Sequence, residues 1–195
     1  MVSLNQASRN VVLSGAPGRA SWGRRIGFGR CPHELPNPET IQVRSILLAS
    51  EGRPIGTEAI ALAARLARRC GASLHIISIA RVWGTAFGFP NPGLMPTRAE
   101  WKTQRQLVAD AREAVQAYGI DASCEVRSTR NASKIIVREA KRRGADVIIM
   151  TADAPRNRLA ESLDWAAAPY RVRRRAVVPV YLLIGENAVH ARAAE

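Results

Sequence analysis

An α/β fold built on a doubly wound parallel sheet is predicted by three features of the 195-residue sequence. From about residue 44, apolar runs of strand length alternate with stretches that have a helical apolar period. The runs 45–50 and 146–150 are apolar almost throughout, as in strands that are buried on both faces. Crossovers of helical length make the strands parallel and the connections right-handed. The order β-α-β-α-β-α-β-α-β therefore predicts five parallel strands with helices on both faces.

The first half of the pattern begins with the strand SILLAS at 45–50. A turn and a helix over 57–70 follow, with Thr57 predicted as the helix cap and Gly71 as its end. The run SLHIISIA at 73–80 predicts the second strand. The next segment, 81–96, is a loop rich in Gly and Pro, and a loop of this length in a compact domain is often functional.

The second half begins with a capping box of Thr97 and Glu100. The helix that it starts is predicted to end at Gly119. The remaining elements are a strand at 122–128, a helix from an Asn131 cap to Arg143, a strand at 146–150, a helix over about 159–175 and a strand at 177–184.

The sequence of the final strand predicts how two copies of the chain associate. Pro179 lacks a backbone donor, which places the strand at an edge of the sheet. An apolar edge strand must be protected from uncontrolled pairing, and pairing with the same strand of a second copy is one solution. We therefore expect a homodimer through residues 177–184.

Composition predicts the domain boundaries and limits the classes of molecule that the protein is expected to bind. Residues 1–40 lack periodicity and are interpreted as a flexible basic extension, 41–185 as the folded domain and 186–195 as a polar tail. Within the extension, 32–39 is either a linker or an arm that packs on the domain or on a partner. The net charge is +13, with 26 Arg and 3 Lys. The dense runs 141–143 and 171–175 fall near helix ends, where Arg complements the helix dipole, so nucleic acid is an unlikely partner.

Other features of the sequence predict the cellular compartment of the protein. Three cysteines without paired spacing predict neither a disulfide framework nor a zinc site, and a reducing cytoplasm fits best. No apolar run approaches the length of a membrane span. The arginine pair in 21–30 is followed by a polar, proline-rich stretch instead of an apolar one, which argues against export.

At this point the motifs resemble those of the universal stress protein family over residues 43–184. The opening strand of that family is similar to RSILLASEG, and its first helix and second strand are similar to EAIALAARLARRCGASLHIISI. The third strand, third helix and fourth strand are similar to EVRSTRNASKIIVREAKRRGADVIIMTA. The closing strand is similar to VVPVYLL. The resemblance implies a flavodoxin-like domain, a homodimer through the last strand and a cytoplasmic stress or regulatory role.

The resemblance also implies a candidate nucleotide pocket. One branch of the family binds ATP through G-x2-G-x9-G-S/T after the fourth strand. Here Thr151 and Ala154 occupy the first two glycine positions, and the third falls on Asp164-Trp165 or on 166–167. Side chains at these positions obstruct the close approach of backbone N–H groups to phosphates. The pocket would comprise Ala49, Ser50, Glu51, Met150, Thr151, Ala154 and Arg156.

Individual groups in this pocket have alternative interpretations. Glu51 stands where the ATP-binding branch usually has an Asp that contacts the ribose, or it simply solvates the turn. Arg156 and Arg158 are potential anion ligands, although most arginines in so basic a chain are only solvated. No cofactor is therefore expected, and ATP or AMP is disfavoured by the missing glycines.

No catalytic constellation is found, because the sequence lacks a G-x-S-x-G elbow, a P-loop and an H-E-x-x-H motif. His75 lies within a strand and is interpreted as a packed core residue. Cys70 and Cys124 are interpreted as small core hydrophobes, which leaves Cys31 as the exposed thiol.

Three functions follow from these observations. The first is a non-enzymatic, dimeric universal-stress-type protein whose glycine-motif phosphate site is lost. The second is an ATP- or AMP-binding member with a rewritten loop, in which Arg156 or Arg158 replaces the glycines. The third is an Arg-rich scaffold that binds nucleic acid or an acidic partner.

Overall fold

The computed structural model describes residues 35–81, 95–153 and 168–184. Within these ranges the strands are β1 (Ser45–Ser50), β2 (Ser73–Arg81), β3 (Ala122–Thr129), β4 (Val147–Ala152) and β5 (Val180–Ile184), and the helices are α1 (Thr57–Cys70), α2 (Arg98–Gln116), α3 (Ala132–Arg142) and α4 (Ala168–Arg175). The predictions for residues 1–34, for most of the loop 81–96, for the start of the last helix and for 186–195 lie outside the described residues.

The strands form one parallel sheet in the order β3-β2-β1-β4-β5. β1 is central, since the chain first winds from β1 through β2 to β3 and then crosses back to β4 and β5. This reversal is the defining feature of a doubly wound sheet, and it confirms the predicted fold class.

Two apolar cores lie on opposite faces of the sheet. Alternate residues of the central strand point into different cores: Ile46 and Leu48 pack with α1 and α2, whereas Leu47 and Ala49 pack with α3 and α4. All four are buried. This arrangement explains why the strand sequences show continuous apolar runs instead of alternation. None of the helices in the described ranges is long and apolar enough to cross a membrane.

Helix boundaries agree closely with the sequence, with one exception. The capping box forms, because Thr97 Oγ1 accepts from the Glu100 N–H (3.2 Å) and Glu100 accepts from the Thr97 N–H (2.6 Å). Asn131 Oδ1 accepts from the Lys134 N–H at 3.1 Å, as predicted. The prediction that Thr57 caps α1 is wrong, because the N-cap is Gly56 and Thr57 is already the first helical residue.

The last two strands are shifted from their predicted bounds. β4 continues through Thr151 and Ala152, two residues beyond its predicted end at Met150. β5 begins at Val180, so Pro179 precedes the strand, and its carbonyl accepts from the Ile148 N–H at 3.0 Å. The strand order confirms that β5 lies at an edge of the sheet. Because Pro179 lies outside the strand, its missing N–H is not the reason for this position.

The residues just before the sheet belong to the packed domain. Leu35 packs against the core that α1 and α2 cover, and the Tyr181 hydroxyl donates to the Pro36 carbonyl at 2.6 Å. Burial raises the pKa of Tyr181 to about 12, so the phenol remains a donor at neutral pH. The interpretation of residues 1–40 as flexible therefore does not apply to 35–40.

Candidate functional site

The carboxyl ends of β1 and β4 lie side by side where the winding direction of the sheet reverses, and we call the region outside them the switch-point crevice. Ala49 and Met150 are register partners there and form its buried floor. In open α/β sheets, ligands bind outside the carboxyl ends of the strands at this switch point. The switch-point crevice is therefore the candidate ligand-binding site of this fold.

An ion-paired arginine spans this crevice. Arg53 follows β1 and pairs with Glu51 (Nη2 to Oε1, 2.5 Å; Nε to Oε1, 2.9 Å) and with Asp153, which follows β4. Burial by itself lowers the pKa of Arg53, but the charges and hydrogen bonds of Glu51 and Asp153 outweigh it, and the net shift is upward. The guanidinium thus remains charged and joins the two strand ends.

A second bridge joins the same two strand ends through Thr151. Its Oγ1 accepts from the backbone N–H of Gly56, the N-cap of α1, at 2.9 Å. The N–H groups at a helix N-terminus are where an anion would be held. A Cβ on Gly56 would lie 3.2 Å from Thr151 Oγ1, so this hydroxyl and the bare backbone of Gly56 fit closely.

The turn between β1 and α1 is held from the side of β2 as well. Gln104 of α2 donates from Nε2 to the Gly52 carbonyl at 3.0 Å and accepts from Ser78 of β2 at 2.7 Å. Gly52 has φ 108°, and a Cβ there would lie 2.6 Å from the Ile79 carbonyl oxygen. Only glycine fits this turn. The Ser50 hydroxyl donates to the Arg53 carbonyl and accepts from the Gly52 N–H at 3.1 Å.

The charges of the crevice disfavour an anion. Glu51 is only 4% exposed, and its carboxylate and that of Asp153 both pair with Arg53. A polyphosphate at this position would approach two carboxylates and would have to displace one of them from Arg53. In the part of the chain that the structure describes, no group of three or more His, Cys, Asp or Glu is placed to hold a metal ion.

The structure brings together five of the seven predicted pocket residues: Ala49, Ser50, Glu51, Met150 and Thr151. Ala154 and Arg156 lie outside the described residues. Sequence reasoning missed Arg53, Gly56 and Asp153, which make the contacts across the crevice, and Gln104, which holds the turn after β1. The sequence did contain one signal for the ion pair. Arg53 follows β1 and Asp153 follows β4, and these two strands are neighbours in a doubly wound sheet.

The dense basic run 141–143 has a different role from the one predicted. Arg142 and Arg143 pair with Glu125 of β3 (3.3 and 2.7 Å) and with the buried Glu139 of α3 (2.6 and 3.9 Å), and Arg127 also contacts both carboxylates. A buried carboxylate needs a cation partner. These arginines therefore neutralise Glu125 and Glu139, and the interpretation as simple helix-dipole complements is incomplete.

Two further predictions are wrong. His75 is half-buried rather than packed in the core, and it contacts Ser123 (2.5 Å) and Arg143 (3.2 Å). Burial and the charges of Arg143 and Arg142 lower its pKa. Cys124 is exposed, because it lies on β3 at the edge of the sheet. Cys31 is therefore not the sole candidate for an exposed thiol.

Comparison with known proteins decides the family. The model of the universal stress protein family matches residues 42–182. The chain belongs to the universal stress protein family. No curated protein matches it.

Solved universal stress proteins share the fold. A universal stress protein in complex with cAMP is 15% identical, with a TM-score of 0.56, covering 73% of this chain and 98% of its own. A family member from Burkholderia pseudomallei is 20% identical (TM-score 0.53, 72% and 96% covered). One from Archaeoglobus fulgidus in complex with dAMP is 14% identical (TM-score 0.54, 72% and 97% covered). At these identities the likeness concerns the fold.

The bridge through Thr151 generates a stability prediction. Thr151→Val keeps the shape of the side chain but removes the acceptor for the Gly56 N–H, so we expect a loss of about 1 kcal/mol in the free energy of unfolding, measured by urea denaturation. The matched control is Thr129→Val, which removes an exposed hydrogen bond to the Asn131 N–H and should cost less than about 0.5 kcal/mol. Equal losses for the two variants would contradict the assigned bridge.

Proposed function

We propose that this chain is a non-enzymatic universal stress protein with a cytoplasmic stress-response or regulatory role, and that it does not bind ATP in the usual way of the family. Its switch-point crevice is occupied by its own side chains. The observation that carries the proposal is the pair of bridges across the crevice, Arg53 to Asp153 and Thr151 to Gly56.

The bridges replace the interactions that a phosphate would make. Thr151 stands at the first glycine position of the ATP motif, and its hydroxyl uses the N–H of the α1 N-cap. The cation at the crevice, Arg53, is already paired with Glu51 and Asp153. Binding a nucleotide in this crevice would break these contacts before making new ones, which lowers the net affinity.

The second candidate is a nucleotide-binding member with a rewritten loop. Two structural relatives are described in complex with adenine mononucleotides, cAMP and dAMP, and such ligands carry less charge than ATP. In this alternative, Arg53 would exchange Asp153 for a single phosphate, with Arg156 as a further ligand. Adenine mononucleotides are therefore included in the test.

Isothermal titration calorimetry of the full chain with ATP, ADP, AMP and cAMP tests the proposal. We expect no saturable binding in the micromolar range, because each ligand must displace the bridges of the crevice. Thermal melts with millimolar nucleotide should be unshifted, since a ligand that does not bind the folded state does not stabilise it. Saturable micromolar binding that Arg53→Ala or Arg156→Ala abolishes would favour the rewritten loop instead.

Association through β5 is the second part of the proposal. β5 is at an edge of the sheet, and its residues are apolar throughout: VYLLI. Edge strands of this kind are ready to pair with another chain. If β5 of one copy pairs with β5 of a second copy about a two-fold axis, a single interface covers the β5 edge of both copies.

Light scattering with an edge-strand variant tests the dimer. We expect the native chain to run as a dimer and Leu182→Asp to shift it toward monomer, because the half-buried Leu182 lies on this edge. Val180 is fully buried, so a charge there would unfold the protein instead. Ser128→Asp on β3, at the opposite edge, is the control and should leave the mass unchanged. A native chain that runs as a monomer would refute the dimer.

A further inference from the structure

A groove separate from the crevice lies between α2 and the edge strand β3. Its volume is about 360 Å³, within the size range of small-molecule sites. The lining residues are Trp101, Arg105, Val108, Ala109 and Arg112 of α2, and Cys124, Glu125 and Val126 of β3. None of the lining residues belongs to the switch-point crevice, so the groove is a separate feature.

The floor and one wall of the groove are apolar. Val108 is buried in the core beneath α2, and Val126 packs against the same core from β3. The Trp101 ring stands at one end, half-buried. An apolar floor beside an aromatic wall favours a ligand with a flat, apolar body.

The two arginines that line the groove differ in their pairing. Arg112 pairs with Asp121 at 3.0 Å, and Glu125 is neutralised by Arg127 and Arg143, each at 2.7 Å. Arg105 places its guanidinium 5.9 Å from the centre of the Trp101 ring. Among the described residues no carboxylate lies within ion-pair distance of Arg105. A ligand that fits this balance carries a single negative charge next to its flat body.

We propose that this groove binds a small organic monoanion, namely a carboxylate on a planar aromatic body, with the ring against Trp101 and Val126 and the carboxylate on Arg105. Cys124 forms part of the wall. Burial is the main cause that raises the pKa of its thiol, so Cys124 is mostly protonated at neutral pH and contributes a contact surface to the groove.

Calorimetric titration of the full chain with 2-naphthoate is the direct test, with the neutral 2-naphthalenemethanol and the cationic 2-naphthylmethylamine as matched probes. We expect saturable binding of the carboxylate and at least about tenfold weaker binding of the other two, because the charged hydrogen bond to Arg105 is lost. Equal binding of all three probes, or no saturable binding of naphthoate up to millimolar concentration, would overturn the proposal.

Variants locate the bound probe. Arg105→Gln should weaken naphthoate binding about tenfold, whereas Arg65→Gln, which removes an exposed arginine on α1, should leave it unchanged. Ala109→Phe fills the groove from an exposed helix position and should abolish binding. Naphthoate affinity that is the same in both groove variants as in the native chain would place the ligand elsewhere and overturn the proposal.

Alkylation gives a readout that does not depend on any substitution. Saturating naphthoate should slow the reaction of iodoacetamide with Cys124, as followed by peptide mass mapping, and leave the rate at Cys70 unchanged, since Cys70 lies on α1. An unprotected Cys124 at saturation would contradict binding in the groove. This result is independent of nucleotide binding, so it remains decisive whether or not the crevice is closed.

Discussion

The parallel pairing of β1 with β4 is the constraint on which the rest of this structure depends. It joins segments about a hundred residues apart in sequence, with Ile46 opposite Val147 and Ala49 opposite Met150. It reverses the winding of the sheet, so that α1 and α2 cover one face and α3 and α4 the other. It also brings the carboxyl ends of the two strands, with Arg53 after β1 and Asp153 after β4, to the same end of the sheet. Every contact across the crevice is a consequence of this pairing.

Residues at the two strand ends contact each other directly, through Arg53 with Asp153 and through Thr151 with Gly56. In a phosphate-binding loop, bare glycine backbone provides N–H groups and the helix N-terminus supplies partial positive charge. Here Thr151 provides a hydroxyl to that N-terminus, and Arg53 is paired with a carboxylate on each side. Among the described residues, the N–H of the α1 N-cap and the guanidinium of Arg53 are thus satisfied by groups of the chain itself. We propose that the domain acts through its surfaces instead, namely the β5 edge and the groove beside β3.

The sequence predicts most of the fold because its signals are local. Apolar runs locate the strands, and Gly71, Thr97 and Asn131 mark helix ends through capping chemistry that needs no tertiary information. The site is predicted less well, because its contacts are long-range. Arg53 and Asp153 are a hundred positions apart, and the role of Thr151 depends on a bond to a helix N-terminus that only the folded sheet brings near. The errors at His75 and Cys124 have the same origin, since exposure at the ends and edges of a sheet depends on strand order, which local pattern does not specify.

The central claim is that the crevice is already occupied by the protein's own side chains, and site-resolved NMR tests it most directly. Amide spectra of the full chain are recorded with and without millimolar ATP or AMP, and the signals of Glu51, Arg53, Gly56, Thr151 and Asp153 are compared. The account predicts that these signals do not move and that the Gly56 amide exchanges slowly with solvent because it is bonded to Thr151. Nucleotide-dependent shifts concentrated on these residues, together with rapid exchange at Gly56, would contradict it.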